Sequence, residues 1–348
     1  MVDISYQLLA ARYLQNQLTV LRKQIHGAHT AEDIEYVHQS RVASRRIRAG
    51  LRMFSECFPA RHIKKWRKEI KKVTKRLGAA RDADVQIEFI RQQLTELKKE
   101  QKAFSPGIRR LLLRLRQKRR AVQPKVIKAI DNFEAGPFMS DLHGEIEKIL
   151  FNRNPMEKDI QSPFVFRQVY ERIHKQLDEL LSREQALNDA ENVKGHHQMR
   201  ISAKRLRYTL EICNLAYEKA LGDIIKRMKK LQTTLGHLHD CDVWIEYLPV
   251  FTEQENQKTL DYYGHARAFS RLKPGLDYLL QERIKQRKIL FDSLCELWAR
   301  IHKEGIWEEL ESILQSRLEK HKQKPETVTV AGETQGNEAS STKDSIDK

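Results

Sequence analysis

The chain has 348 residues, with 64 lysines and arginines against 47 aspartates and glutamates, so its formal net charge is +17 at pH 7. This balance disfavours an acidic-tail protein and a neutral, cleft-dominated enzyme, and it makes a polyanion the first partner to consider. No run of 18 or more apolar residues occurs, so neither a transmembrane helix nor a membrane partner is predicted.

Apolar residues recur at spacings of three and four along most of the chain, which is the period of an amphipathic helix. Sustained alternation is missing, so we predict an all-α protein. The predicted long helices cover residues 4–26, 33–57, 60–97 and 106–131 in the first half, and residues 163–186, 190–217, 219–247 and 275–303 in the second half. Short helices are predicted at 138–150 and 306–320, with a linker at 152–163.

The two halves carry the same motifs in the same order, which indicates an internal repeat. The segment HQSRVASRRIR, which begins at His38, aligns with HQMRISAKRLR, which begins at His197, at an offset of 159. The segment LGAARDADV from Leu77 aligns with LGHLHDCDV from Leu235 at an offset of 158. A weaker match aligns two arginines of each half, namely Arg116 and Arg120 with Arg283 and Arg287.

The simplest architecture for such a repeat is a pair of pseudo-symmetric four-helix bundles around a basic groove or channel. We place the first bundle at residues 1–155 and the second at residues 156–325. Residues 326–348 contain five acidic residues, two lysines and almost no large apolar side chain, so we predict a disordered acidic tail.

The positive charge is concentrated in residues 38–76, 109–128 and 200–230, which together carry +27, while the rest of the chain carries −10. It is also directional, since His38, Arg41, Arg45, Arg48 and Arg52 fall on one face of a helix. Like charges at this spacing destabilise a helix by a few tenths of a kcal/mol per pair. An exposed polar face is the plainer interpretation of one such stripe, but its recurrence in both halves favours a surface that an anion occupies.

The basic stripes carry almost no aromatic side chain for base stacking, Tyr208 being the main exception. Zinc-finger spacing and RNA-binding aromatic motifs are also missing from the sequence. Mixed arginine and lysine arrays suit a chain of phosphates, because arginine offers a planar fork and lysine a mobile charge. A phosphate chain without bases is therefore the favoured ligand, and a nucleic-acid-binding helical protein is the alternative.

On its paired His-x-x-Arg-x-x-x-Arg/Lys-Arg-x-Arg and Leu-Gly…Asp-x-Asp-Val motifs, the sequence resembles the CHAD family, the conserved histidine α-helical domain, over residues 5–320. The resemblance implies two helical bundles around a basic channel and non-catalytic binding of inorganic polyphosphate, with phosphate or sulfate ions able to occupy the same site. Many relatives carry an N-terminal triphosphate-hydrolysing tunnel domain marked by Glu-x-Glu-x-Lys. We find no such motif here and expect no such hydrolysis.

The resemblance assigns polyphosphate binding to the residues that match the repeated motif: His38, Arg41, Arg45, Arg46, Arg48, His197, Arg200, Lys204, Arg205 and Arg207. Charge and helical phase extend the predicted site to Lys68, Lys71, Lys72, Lys75, Arg116, Arg120, Lys226, Lys229, Lys230, Arg283 and Arg287. For His38 and His197, phosphate contact and structural hydrogen bonding remain equal alternatives. Lys204 replaces the arginine found at Arg45 and so lacks the bidentate fork.

No catalytic nucleophile with a base, phosphate-binding loop or dinucleotide fingerprint is found, so we predict no enzymatic activity and no cofactor. A metal site is not predicted either, because Arg81 stands in the first repeat where His239 stands in the second. The four cysteines lack paired spacing and indicate reduced thiols. We therefore expect a cytoplasmic protein, and a basic scaffold at polyphosphate granules is a further alternative.

Overall fold

The computed structural model describes residues 2–151 and 157–322, and every regular element in these two ranges is a helix. The prediction of an all-α protein is therefore confirmed. The boundary proposed between residues 155 and 156 and the tail proposed at residues 326–348 both lie outside the described residues. Within the described ranges, no helix is both long and apolar enough to cross a membrane.

The first half contains five helices, close to their predicted positions: α1 (Ile4–Thr30), α2 (Ile34–Met53), α3 (Ala60–Glu96), α4 (Ser105–Glu134) and α5 (Phe138–Leu150). Their first turns are set by local sequence. The Asp3 side chain accepts a hydrogen bond from the Tyr6 backbone N–H at 3.0 Å, and Asp33 caps α2 in the same way.

The second half contains α6 (Pro163–Leu181), α7 (Val193–Cys213), α8 (Gly222–Tyr263), α9 (Arg267–Ser270), α10 (Lys273–Lys303) and α11 (Ile306–Lys322). The four-residue α9 was not predicted, and the other five helices lie close to their predicted positions, as in the first half. The pseudo-symmetry of the two halves remains a prediction.

The prediction that the long helix starting at residue 219 ends at residue 247 is wrong, because α8 continues through Pro249 to Tyr263. Proline removes one backbone hydrogen bond and normally breaks a helix. Here the apolar side chain of Phe251 is buried beyond the proline, and Glu255 is 1% exposed and ion-paired with Arg114 at 2.8 Å. These tertiary contacts stabilise the extra turns.

One hydrophobic core runs through both halves, so the halves pack as a single unit in the described residues. Tyr6 of α1 illustrates this contact, because its ring lies 5.1 Å from that of Phe54 and 5.8 Å from that of Phe164 in the other half. A second, smaller core joins the far ends of α3, α4, α8 and α10. Gly107 and Gly275 approach closely there, and a Cβ on Gly107 would lie 2.0 Å from the Leu272 carbonyl oxygen.

Candidate anion-binding site

Helices α2 and α7, which carry the two copies of the repeated motif, lie against each other at the junction of the halves. The sequence explains which face each presents. Val37, Ala43, Ile47 and Leu51 are completely buried in the core, so the basic stripe of α2 faces away from its own bundle. The stripe meets α7 where the guanidinium of Arg45 lies 5.5 Å from the centroid of the Tyr208 ring.

Four half-buried cations from α2 and α7 form what we call the central cluster, namely Arg41, Arg45, Arg200 and Lys204. Burial, together with the positive charges of Arg45 and Arg200, lowers the pKa of Lys204 to about 8. Burial also lowers the pKa of Arg45 and of Arg200. Like charges are thus held together where water screens them poorly, which is costly unless an anion binds.

Carboxylates neutralise the central cluster only in part. Arg41 contacts Asp82 of α3 at 3.5 Å through Nη2, but the Asp82 side chain is 67% exposed, so this pair is weak. Asp240 of α8 acts on Arg200 through space. In the described residues, Arg45, Arg200 and Lys204 make no ion pair within 4.0 Å.

Histidines lie beside the central cluster. The rings of His197 and His239 have centroids 4.7 Å apart, and burial together with Arg200 and His197 lowers the pKa of His239 to about 4. Burial and the charge of Arg81 lower the pKa of His38. The Nδ1 atoms of these three rings are buried and make no hydrogen bond to the described residues. No structural hydrogen bond through Nδ1 therefore accounts for His38 or His197.

Three motif residues are bound to acidic side chains at the edges of the junction. Arg46 lies 3.4 Å from Glu211, which also pairs with Arg207. Arg205 pairs with Glu179 at 2.6 Å. These arginines have carboxylate partners that Arg45, Arg200 and Lys204 of the central cluster lack, so they contribute less free charge than predicted.

Arg287 does not fit the predicted role of phosphate ligand. Its side chain is 9% exposed, and Nε donates to Asp242 at 2.6 Å while Nη1 donates to the Ala190 carbonyl at 2.6 Å. The corresponding ion pair of the first half joins Asp84 to Arg119 at 2.6 Å. Its structural counterpart is therefore Arg119, which corrects the alignment of Arg120 with Arg287. Both pairs fasten the last long helix of a half to the preceding one.

The remaining predicted residues lie outside the central cluster. Arg116 and Arg120 line a groove of about 510 Å³ between α3 and α4, together with Arg91. Arg283 lies with its guanidinium 4.5 Å from the centroid of the Phe89 ring. Exposed lysines form the outer faces of α3 and α8: Lys68, Lys71, Lys72, Lys75, Lys226, Lys229 and Lys230. They add to the positive field without joining the cluster.

The comparisons with known proteins agree with this fold. The family model described as the CHAD domain matches residues 12–249, which is more than half of the chain. This chain belongs to the CHAD family.

Two solved structures share this CHAD fold. The crystal structure of the CHAD domain from the plant Ricinus communis is 21% identical, with a TM-score of 0.57, and the match covers 85% of this chain and 91% of that one. PptA from Streptomyces chartreusis is 15% identical, with a TM-score of 0.59, and the match covers 84% of this chain and 99% of that one.

Among curated proteins, the uncharacterized protein MT2285 of Mycobacterium tuberculosis (strain CDC 1551 / Oshkosh) is 25% identical over 232 residues, which are 63% of this chain. The match spans only 40% of that relative's length. More than half of that relative's length is therefore unmatched.

In this CHAD domain, two basic residues that the predicted site omitted, Arg52 and Arg67, also lie near its cations. Burial lowers the pKa of Arg48, and the charges of Arg52, Arg45 and Arg67 lower it further, so the cationic surface continues past Arg48. Arg52 falls on the same helical stripe, and that signal was available from its spacing. Arg67 lies four residues before Lys71 on α3, so its spacing also offered a signal.

Proposed function

We propose that this CHAD domain binds inorganic polyphosphate at the junction of α2 and α7, without catalysing a reaction on it. The observation that carries the proposal is the central cluster, in which Arg45, Arg200 and Lys204 are half-buried, close together and unpaired with carboxylates in the described residues. A ligand of high negative charge density would remove this repulsion. The membership of the chain in the CHAD family supports the same proposal.

The aromatic ring at the central cluster favours a bare phosphate chain over a nucleic acid. Tyr208, the aromatic ring at the cluster, has the guanidinium groups of Arg45 at 5.5 Å and Arg207 at 4.7 Å from its centroid. The ring already makes cation–π contacts with these two guanidinium groups, whereas single-stranded nucleic acids need free aromatic faces on which their bases can stack. The ligand therefore needs phosphates and no bases. Free phosphate or sulfate would bind weakly at the same cations.

A competition titration tests the proposal. Labelled long-chain polyphosphate is bound to the protein and then displaced with unlabelled polyphosphate or RNA at equal phosphate concentration, at several NaCl concentrations. We expect polyphosphate to compete far better than RNA, and affinity to fall steeply with salt because binding releases counterions. Equal competition by RNA would replace the proposal with nucleic-acid binding. Turnover of polyphosphate would show that the domain is an enzyme.

The proposed partner also bears on where the protein works. A cytoplasmic location, with association to polyphosphate granules, stays a prediction from the sequence. Fractionation of cells that contain the granules is the direct measurement. Recovery of the protein with the granules in low salt, and its release in high salt, would agree with electrostatic binding to polyphosphate.

A further inference from the structure

A groove of about 460 Å³ lies beyond the C-terminal end of the α2 stripe, between α2, α6 and α7. None of the binding residues transferred from the repeated motif, apart from Arg205, lies in it. Its charged lining consists of four cations and two carboxylates: Arg52, Arg172, Lys175, Arg205, Glu171 and Glu179. The groove is therefore a concave, net-positive surface.

Electrostatic interactions connect this groove to the central cluster. The pKa of Arg48 is lowered first by burial and then by the charges of Arg52, Arg45 and Arg67. The pKa of Arg52, whose side chain is exposed by accessible area but partly covered by neighbouring atoms, is lowered by this partial burial and then by the charges of Arg205 and Arg67. Arg45, Arg48 and Arg52 also follow one another at spacings of three and four along α2, so their charges lie along one face of the helix that leads to the groove.

The two carboxylates of the groove do not cancel the charge of its four cations. The Glu179 carboxylate forms an ion pair with Arg205 at 2.6 Å and also accepts a hydrogen bond from the Ser202 hydroxyl at 3.3 Å. Arg52 makes no ion pair within the described residues, and it is exposed at the mouth of the groove. A guanidinium in this setting is free to bind a phosphate oxygen.

We propose that this groove is a second subsite for the polyphosphate chain, which runs from the central cluster past Arg48 into the space between α2, α6 and α7. This inference rests on the proposed function. Arg41 and Arg52 are eleven residues apart on one helix, so at 1.5 Å per residue the chain must span about 16 Å to contact both. Long chains reach both subsites, whereas tripolyphosphate is too short. The groove thus gives the domain a preference for chain length.

The test removes the charge of the groove and leaves the central cluster intact. Arg52→Gln and Lys175→Gln are combined, since both side chains are exposed and neither makes a hydrogen bond or ion pair in the described residues. Arg271→Gln is the matched control, an exposed arginine at the end of α9 that is distant in sequence from the groove. Arg52→Lys keeps the charge and tests whether charge suffices. Circular dichroism melting confirms that all variants fold.

Titrations with long-chain polyphosphate and with tripolyphosphate then give the result. We expect the double variant to bind the long chain about tenfold more weakly, with a shallower dependence on salt, and to bind tripolyphosphate as the wild type does. Equal loss for both ligands, or unchanged affinity for the long chain, would overturn the second subsite. Failure of the wild type to bind either ligand would instead overturn the proposed function.

Discussion

The guanidinium of Arg45, on α2, lies 5.5 Å from the centroid of the Tyr208 ring, on α7. Arg45 belongs to one copy of the repeated motif and Tyr208 directly follows the other, so this contact joins the two helices that carry the copies. Arg207 lies over the same ring at 4.7 Å. Tyr208 therefore holds two like charges close together, which the negative face of an aromatic ring can do without neutralising them.

The first prediction concerns this ring. Tyr208→Leu should weaken polyphosphate binding by roughly threefold to tenfold, because a cation–π contact of about 1 kcal/mol or more that orients Arg45 is lost. Tyr208→Phe keeps the ring and should bind as the wild type does. Fluorescence titration with labelled polyphosphate measures both. Equal weakening in Tyr208→Phe would show that the hydroxyl group, and not the ring, matters.

The second prediction is a dependence of affinity on pH that arises at Lys204, whose pKa is lowered to about 8 by burial and by the neighbouring arginines. Below this pKa the ammonium group is charged in the free protein and ready for phosphate. Above it the group has lost its proton, and binding must take the proton up again. Affinity should therefore fall as pH rises, by up to about tenfold between pH 7 and pH 9.

The matched variant for this effect is Lys204→Arg, whose guanidinium stays charged throughout this pH range. Titrations at pH 7, 8 and 9 in constant ionic strength compare it with the wild type. A flat profile in the variant and a declining one in the wild type would assign the effect to Lys204. Identical profiles would place the titrating group elsewhere.

The third prediction separates stability from binding at Arg287. This residue and Asp242 form an ion pair with side chains 9% and 8% exposed, so Arg287→Met leaves a buried carboxylate unpaired. The free energy of unfolding should fall by about 3 kcal/mol or more. Denaturant unfolding measures this loss, and polyphosphate affinity under native conditions should change by less than about twofold. Weakened binding without a loss of stability would restore the phosphate-ligand role of Arg287.

The fourth prediction concerns Asp82, the exposed carboxylate 3.5 Å from Arg41. Asp82→Asn should tighten polyphosphate binding a few fold, because it removes an anion that repels the ligand and competes for Arg41. The gain should be largest at low salt, where surface charges are least screened. Titration in low and high NaCl provides the measurement. Weaker binding by the variant would mean that Asp82 instead positions Arg41 for the ligand.

Much of the fold was predictable because helical periodicity persists through long segments, and the junction of α2 and α7 followed from the repeat. The end of α8 was not predictable, since it depends on Glu255 meeting Arg110 and Arg114 of α4. The central cluster was contained in the predicted site. Arg287 could not be separated from it, because only tertiary structure shows that Asp242 lies beside its guanidinium.

The central claim is that the cations at the junction of α2 and α7 bind polyphosphate, and Arg45→Gln combined with Lys204→Gln tests it most directly. Both side chains are half-buried, and neither makes an ion pair in the described residues, so their replacement leaves no carboxylate unpaired, and circular dichroism melting checks that the variant folds. Isothermal titration with long-chain polyphosphate should show affinity reduced well over tenfold relative to the wild type and to Arg271→Gln. Affinity equal to that of the wild type would contradict the claim and remove this junction from the binding site.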